Sequence, residues 1–203
     1  MDNISTIIFD LGGVIMDIDV KQTLKAFSGL GLNNVHEYFG HGFAASFFSD
    51  HEAGRISDEE FLQEIKNLLD VQVTDEAVID AWNALLLRFP PERIALLKDL
   101  KTRYRLFLYS NTNAIHKEKF SEIYRQAFSG ELDDHFEKAY YSHELGQRKP
   151  ELAGFEQIIR ENRLDPRQTL FVDDALMNVE GAIKAGLKGL YLPPGLYITD
   201  IRW

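Results

Sequence analysis

From residue 91 onward, the hydrophobic pattern alternates between helical spacing and short apolar runs. Such alternation predicts a parallel sheet whose strands are joined by helices in right-handed crossovers. An earlier apolar run at residues 6–9 predicts a further strand, which we place in the middle of this sheet. The predicted strands span residues 105–109, 139–142, 169–172 and 189–192. The predicted helices span residues 91–101, 150–162 and 175–185, and one more helix begins at about residue 114.

Residues 16–90 differ from this alternating part, because their hydrophobic spacing is helical and no convincing strand interrupts it. About four helices are predicted there, over residues 21–30, over 35–48 with an interruption near 40–42, from 58 and from 75. Ser57 and Glu60 have the spacing of a capping box, which marks the third helix start. The expected fold class is α/β. Residues 1–15 and 91–203 form a Rossmann-like catalytic core, and residues 16–90 form an inserted helical cap.

Composition narrows the classes of partner. With 203 residues, of which 45% are hydrophobic, the chain is long enough to bury a sizeable core. Its net charge of −10 and the lack of a Lys/Arg block argue against nucleic-acid binding. No apolar run approaches the roughly 18 residues of a membrane span, and the acidic N-terminus does not resemble a signal peptide. Without cysteine, disulfides and thiolate metal sites are excluded. We therefore expect a cytoplasmic protein with no membrane or nucleic-acid partner.

Polar side chains stand where the predicted strands end. Asp10, Ser110 and the pair Asp173 and Asp174 each follow or close a strand, and Lys149 precedes a helix-initiating proline. Taken singly, these are ordinary residues, since an aspartate before a helix is a common N-cap. Because the carboxyl ends of parallel strands share one edge of the sheet, however, we expect them to converge. Carboxylates without thiols or clustered histidines favour Mg²⁺ over Zn²⁺, and an aspartate can act as nucleophile towards phosphorus.

Together, these segments resemble the four motifs of the haloacid dehalogenase-like (HAD) hydrolase superfamily, in the same order. Residues 9–19 read FDLGGVIMDID, 52–61 read EAGRISDEEF, 109–113 read YSNTN, 148–151 read RKPE and 172–178 read VDDALMN. The helical insertion resembles that superfamily's C1-type cap. Among its members, the bacterial phosphatases of α-D-glucose 1-phosphate are the most similar in these motifs. The resemblance implies a Mg²⁺-dependent phosphatase acting on a small phosphate ester, with a sugar phosphate as first choice, through an aspartyl-phosphate intermediate.

The resemblance also implies roles for single residues. For catalysis and phosphate binding, it implies Asp10 as nucleophile, Ser110 as phosphate-binding hydroxyl, Asn111 as a supporting amide and Lys149 as the lysine that steadies nucleophile and phosphoryl group. For the metal site, it implies Asp10, Asp174 and the Gly12 carbonyl as ligands. Asp173 is either a further ligand or a support for the ligands, and Asn178 orients the acidic loop.

Gly12 departs from the superfamily pattern, because most phosphatases of this type carry a second aspartate there as general acid and base. Absence of this aspartate would lower the reaction rate by the contribution of a general acid and base, about 10²–10⁴-fold, although the glycine carbonyl can still contact the metal. His51, in the cap next to Glu52, is a candidate for the missing acid. Two alternatives stay open: a weak or inactive HAD-fold protein that binds phospho-ligands or regulates, and a metal-independent 2-haloacid dehalogenase. The acidic pair argues against the latter, and the chain is expected to be a monomer or small homo-oligomer.

Overall fold

The computed structural model describes residues 3–32, 46–69 and 72–203. The strands are β1 (Thr6–Phe9), β2 (Asp17–Ile18), β3 (Leu86–Arg88), β4 (Arg105–Ser110), β5 (Lys138–Tyr141), β6 (Thr169–Asp173) and β7 (Lys188–Tyr191). Five of them form a parallel sheet in the order β5-β4-β1-β6-β7. The prediction of an α/β fold with the first strand in the middle of a parallel sheet is therefore confirmed.

Helices pack on both faces of this sheet. They are α5 (Pro91–Leu100), α6 (Ala114–Ala127), α7 (Ser142–Leu145), α8 (Leu152–Asn162) and α9 (Leu176–Lys184), numbered after α1 (Val20–Gly29), α2 (Ser46–Glu52), α3 (Asp58–Asn67) and α4 (Asp75–Asn83) of the insertion. Ile7 and Phe9 of β1 enter one hydrophobic cluster and Ile8 enters the cluster on the other face. All three side chains are fully buried, and burial of each stabilises the fold by about 1.5–3 kcal/mol. A continuous apolar run is therefore what this central strand requires.

The helices of the insertion share a hydrophobic cluster of their own. Its largest members are aromatic, Phe27, Phe48, Phe61 and Trp82, and Ile115 of α6 joins them from the sheet side. The predicted capping box is present, because the Ser57 hydroxyl accepts from the Glu60 N–H and the Glu60 carboxylate accepts from the Ser57 N–H. Of the helix predicted over 35–48, residues 35–45 lie outside the described residues, and the remainder begins α2. The division into core and cap domains stays a prediction.

The expectation that the insertion contains no strand is wrong. β2 and β3 pair antiparallel where the chain leaves the sheet and where it returns to it. Asp17 of β2 forms ion pairs with Arg88 (3.2 Å) and with the buried Arg93 (3.0 Å). The Asp19 N–H donates to the Leu85 carbonyl at 2.9 Å. The two connections to the insertion are thus fastened to each other at one place.

Candidate active site

Three carboxylates meet at the carboxyl end of the central strands. Phe9 lies opposite Val172 in the parallel register, so Asp10 and Asp173 are the next residues on neighbouring strands. Asp174 follows immediately, and one ligand atom from each carboxylate lies within 4.8 Å of the others. Asp10 and Asp173 are buried, whereas Asp174 is exposed at the mouth of a cleft of about 410 Å³ that Gly13 also lines. The structure therefore brings together Asp10, Asp173 and Asp174, three of the residues that the sequence predicted to converge.

Lys149 supplies a cation at the centre of this cluster. Its Nζ lies 2.5 Å from Asp10 Oδ1 and 2.7 Å from Asp173 Oδ2, and its side chain is buried. Burial alone would lower the pKa of Lys149, but the neighbouring carboxylates of Asp10 and Asp173 outweigh it and raise that pKa. The ammonium group is thus charged throughout the physiological pH range, and it neutralises part of the charge of three carboxylates.

The backbone of Lys149 is held by a side chain that the sequence predicted for a different task. Asn111 accepts from the Lys149 N–H at 2.8 Å through Oδ1, and it donates from Nδ2 to the Lys149 carbonyl at 2.9 Å. Asn111 follows Ser110, the buried last residue of β4, which runs beside β1. Ser110 is therefore on the same edge of the sheet as Asp10. The roles of Ser110 and Asn111 in phosphate binding stay predictions.

The Asp173 carboxylate accepts hydrogen bonds from several neighbouring groups of the protein. Besides Lys149, the Ala175 N–H donates to Oδ1 at 2.8 Å, and the Asn178 amide lies 3.1 Å from both oxygens. Asp173 is fully buried, so these hydrogen bonds compensate for the lost solvation of its charge. The arrangement orients Asp173 towards Lys149 and leaves the neighbouring Asp174 carboxylate facing the cleft.

The paired glycines allow the loop after β1 to lie against this cluster. Gly13 has a φ of +74°, and a Cβ placed on it would lie 2.1 Å from Asp174 Oδ2. At Gly12, where the superfamily usually has an acid, a Cβ would lie 3.1 Å from Cδ1 of Ile18 in β2. A side chain at residue 13 would therefore displace a carboxylate of the cluster, whereas one at residue 12 would make only a tight contact with the end of the Ile18 side chain.

The charge balance of the cluster fits a hard divalent cation. Burial raises the pKa of Asp10 to about 7; Lys149 opposes this increase, and Asp173 and Asp174 add to it. Partial desolvation raises the pKa of Asp174 to about 6, and the negative charge of Asp173 adds to this increase. One ammonium group therefore does not neutralise the three carboxylates, and all donor atoms offered are oxygens. Oxygen donors with excess negative charge are what Mg²⁺ prefers.

The structure does not support His51 as the missing acid. Its Nε2 is 2.6 Å from Asp58 Oδ1, its ring stacks on Phe61 at 4.0 Å, and the side chain is only 2% exposed. Nδ1 is buried and has no hydrogen-bond partner among the described residues. Burial also lowers the pKa of His51, with Asp58 opposing the shift. His51 does not line the cleft beside Asp174, and its ring packs on Phe61 instead.

Sequence reasoning missed the partners that hold the site together. Asn111 holds the backbone of Lys149, Arg148 pairs with Glu52 of the insertion, and the buried Arg93 pairs with Asp17. Nothing in the sequence marks Arg93 as buried or pairs it with Asp17, so this contact could be recognised only in the structure.

No helix within the described ranges combines the length and apolar character that crossing a membrane requires.

Comparison with known proteins places the chain in a family. The model of haloacid dehalogenase-like hydrolases matches residues 4–186, so the protein belongs to the haloacid dehalogenase-like hydrolase family. A D-ribitol-5-phosphate phosphatase of Bacteroides thetaiotaomicron is 32% identical over 87% of this chain and 85% of its own. A sesquiterpene phosphatase of Aspergillus oryzae is 25% identical over 93% and 90%, respectively.

Solved structures agree with this assignment. A variant of a HAD-family enzyme from Bacteroides thetaiotaomicron, in complex with magnesium and inorganic phosphate, has a TM-score of 0.90 at 30% identity. The alignment covers 95% of each chain. A HAD-like family hydrolase from Porphyromonas gingivalis has a TM-score of 0.85 at 30% identity, over 95% of this chain and 93% of its own. The parallel sheet and its helices are therefore those of the family.

Proposed function

We propose that this protein is a Mg²⁺-dependent phosphatase that hydrolyses a small phosphorylated metabolite, first of all a sugar or sugar-alcohol phosphate. The observation that carries the proposal is the cluster of Asp10, Asp173 and Asp174 around the Lys149 ammonium group. The relatives support it, because two of them are named as a D-ribitol-5-phosphate phosphatase and a sesquiterpene phosphatase. A variant of a HAD-family enzyme was crystallised with magnesium and inorganic phosphate. A cytoplasmic location and a monomeric or small homo-oligomeric state remain predictions.

Asp10 is the proposed nucleophile. Its carboxylate forms a bond to phosphorus while the bond from phosphorus to the ester oxygen breaks, and the leaving alcohol takes a proton from solvent. Water then hydrolyses the aspartyl phosphate, which frees phosphate and restores the Asp10 carboxylate. The buried Lys149 ammonium neutralises Asp10 before the attack and phosphoryl oxygens afterwards. Ser110 and Asn111 are the proposed phosphate-binding groups, because both lie where β4 ends beside β1.

The proposed metal site consists of Asp10, Asp174 and the Gly12 carbonyl. When bound there, Mg²⁺ would neutralise phosphoryl oxygens and reduce their repulsion of the nucleophile. Asp173 belongs to the same carboxylate group, but its hydrogen bonds to Lys149, Ala175 and Asn178 favour a supporting role. In this proposal, Asp173 keeps Lys149 and the acidic loop in place while Asp174 contacts the ion.

We further propose that residues 16–90 act as a cap domain. The cluster of Phe27, Phe48, Phe61 and Trp82 supports an independent core for them. The antiparallel β2 and β3 are the two connections through which such a cap would move. A cap over the strand ends would contact the part of the substrate beyond the phosphoryl group and hold it in place.

The experiment measures phosphate release from a panel of sugar phosphates, sugar-alcohol phosphates, nucleotides and phospho-acids, with Mg²⁺ or with EDTA. The wild type is expected to release phosphate only with Mg²⁺, and Asp10→Asn is expected to release none while its melting curve stays cooperative. Asp99→Asn, an exposed carboxylate in α5, is the matched control and is expected to match the wild type.

Two results would contradict the proposal. Halide release from a 2-haloacid in EDTA would identify a dehalogenase. Tight binding of phosphate esters without turnover across the whole panel would identify a phospho-ligand-binding protein, the reading that Gly12 favours.

A further inference from the structure

An ion pair joins the insertion to the loop that carries Lys149. Arg148 donates to Glu52 Oε2 from Nε at 2.8 Å and from Nη2 at 2.6 Å. Glu52 is the last residue of α2, and 96 positions separate it from Arg148 in the chain. The two side chains are 22% and 11% exposed, whereas those of the surface pair Arg105 and Glu137 are 42% and 48% exposed. Because it is partly desolvated and made through two donor atoms, this pair is stronger than an ordinary surface salt bridge.

A second contact seats the same turn of the insertion on the sheet domain. Gly54 has a φ of +65°, and a Cβ placed on it would lie 2.2 Å from the His143 carbonyl oxygen. The backbone after α2 thus lies directly against α7, two residues away from the Glu52 carboxylate. The turn is held at one point by close backbone packing and at the other by the ion pair.

Arg148 is joined to Lys149 by a single peptide bond. The Lys149 ammonium lies between Asp10 and Asp173, and its backbone N–H and carbonyl are both held by Asn111. A displacement of Arg148 would therefore act on the amide bonded to Asn111 and on the position of the ammonium group. Glu52 itself contacts none of the proposed reacting groups. It holds Arg148, the neighbour in sequence of Lys149, whose ammonium group contacts Asp10.

We propose that Glu52 and Arg148 are positioning residues, through which seating of the insertion on the sheet domain sets the position of the catalytic Lys149. This proposal rests on the proposed phosphatase function for its kinetic consequence. The site is then fully assembled only when the turn after α2 is in place. The pair would thereby favour chemistry with the cap closed and disfavour it with the cap open.

The kinetic test is a double-mutant cycle with Glu52→Gln and Arg148→Met. Each single variant is expected to lower kcat by about 10–100-fold, since a misplacement near 1 Å has a cost of that order. The double variant is expected to be no slower than the slower single variant. The matched controls Glu137→Gln and Arg105→Met break a surface pair between β4 and the loop before β5 and are expected to keep the wild-type kcat and KM. Wild-type kcat in both single variants, or losses that add, would overturn the proposal.

A readout that needs no turnover separates this proposal from the phosphatase function. Hydrogen–deuterium exchange in Glu52→Gln is expected to rise at the amides of Lys149 and Glu151, which in the wild type bond to Asn111 Oδ1 and to the Arg148 carbonyl. The Glu137→Gln control is expected to exchange as the wild type does. Unchanged exchange of these amides in Glu52→Gln refutes the coupling even if the wild type is an active phosphatase. Raised exchange supports the coupling even if no substrate is found.

Discussion

Gly13→Ala is the substitution for which the structure predicts the most specific defect. The added Cβ would lie 2.1 Å from Asp174 Oδ2, whereas real Cβ contacts are essentially never below 3.0 Å. The carboxylate must therefore retreat by about 1 Å, or the loop after β1 must move by as much. The residue must also keep a φ of +74°, which costs an L-residue about 1–2 kcal/mol.

The catalytic consequence follows from the displaced carboxylate. Asp174 is the proposed metal ligand that faces the cleft, and a misplacement near 1 Å lowers rates by about 100-fold. We expect kcat/KM to fall by about that factor and the Mg²⁺ concentration for half-maximal activity to rise. A Mg²⁺ titration of phosphate release measures both, and isothermal titration with Mg²⁺ measures the binding defect without substrate.

Gly186→Ala controls for backbone strain in this experiment. Gly186 has a φ of +90°, but its Cβ would meet only Pro166 Cβ at 3.6 Å, an ordinary contact. It lies between α9 and β7, at the opposite edge of the sheet from the acidic cluster. Both variants should lose stability through the strain of a positive φ, and only Gly13→Ala should need a higher Mg²⁺ concentration for half-maximal activity. A Gly13→Ala protein that binds Mg²⁺ and turns over like Gly186→Ala would refute the reasoning.

Four further outcomes are expected. Lys149→Met should abolish phosphate release and lower the metal-free free energy of unfolding at pH 8 by up to about 3–5 kcal/mol in urea titrations, because buried carboxylates lose their cation. The Mg²⁺-induced rise in Tm should grow between pH 5 and pH 8, since Asp10 (pKa about 7) and Asp174 (pKa about 6) must release protons to bind the ion. Over this range the metal-free protein should lose stability as pH rises, because its folded state holds protons that the unfolded carboxyls have already released. Ser57→Ala should destabilise the protein by about 1 kcal/mol through loss of the α3 N-cap, as measured by urea unfolding. The dependence of its phosphate release on Mg²⁺ should stay that of the wild type.

Convergence of the site was predictable because it depends on topology. Strand positions follow from apolar runs, and parallel strands present their carboxyl ends at one edge. That reasoning predicted a common location for Asp10, Ser110 and Asp173, and the register places Asp10 and Asp173 side by side. The same logic predicts nothing about which donor each carboxylate accepts from, since that depends on side chains brought together only by the folded chain.

The parts that the sequence did not predict are those decided by tertiary contacts. β2 and β3 contain two and three residues, which is too short for alternation to show. The helix expected from residue 150 begins at Leu152, because residues 148–151 form a turn in which the Glu151 N–H donates to the Arg148 carbonyl. His51 was assigned by residue type and location, but its burial against Phe61 depends on how the insertion packs.

Packing also bears on the missing acid at Gly12, because a side chain at residue 12 would contact Ile18. A Cβ at residue 12 would lie 3.1 Å from Cδ1 of Ile18 in β2, a tight contact that a shift of a few tenths of an ångström in this side chain would relieve. The backbone of β2 is fixed by pairing with β3 and by the ion pair between Asp17 and Arg93. An aspartate at residue 12 would therefore shift the Ile18 side chain slightly as well as add an acid. The cleft that reaches Asp174 is open and lined partly by polar groups, so water can protonate a leaving alcohol there. The structure thus brings together the three carboxylates and the Lys149 cation, whereas Gly12 supplies no side chain for the contribution of about 10²–10⁴-fold that a general acid makes.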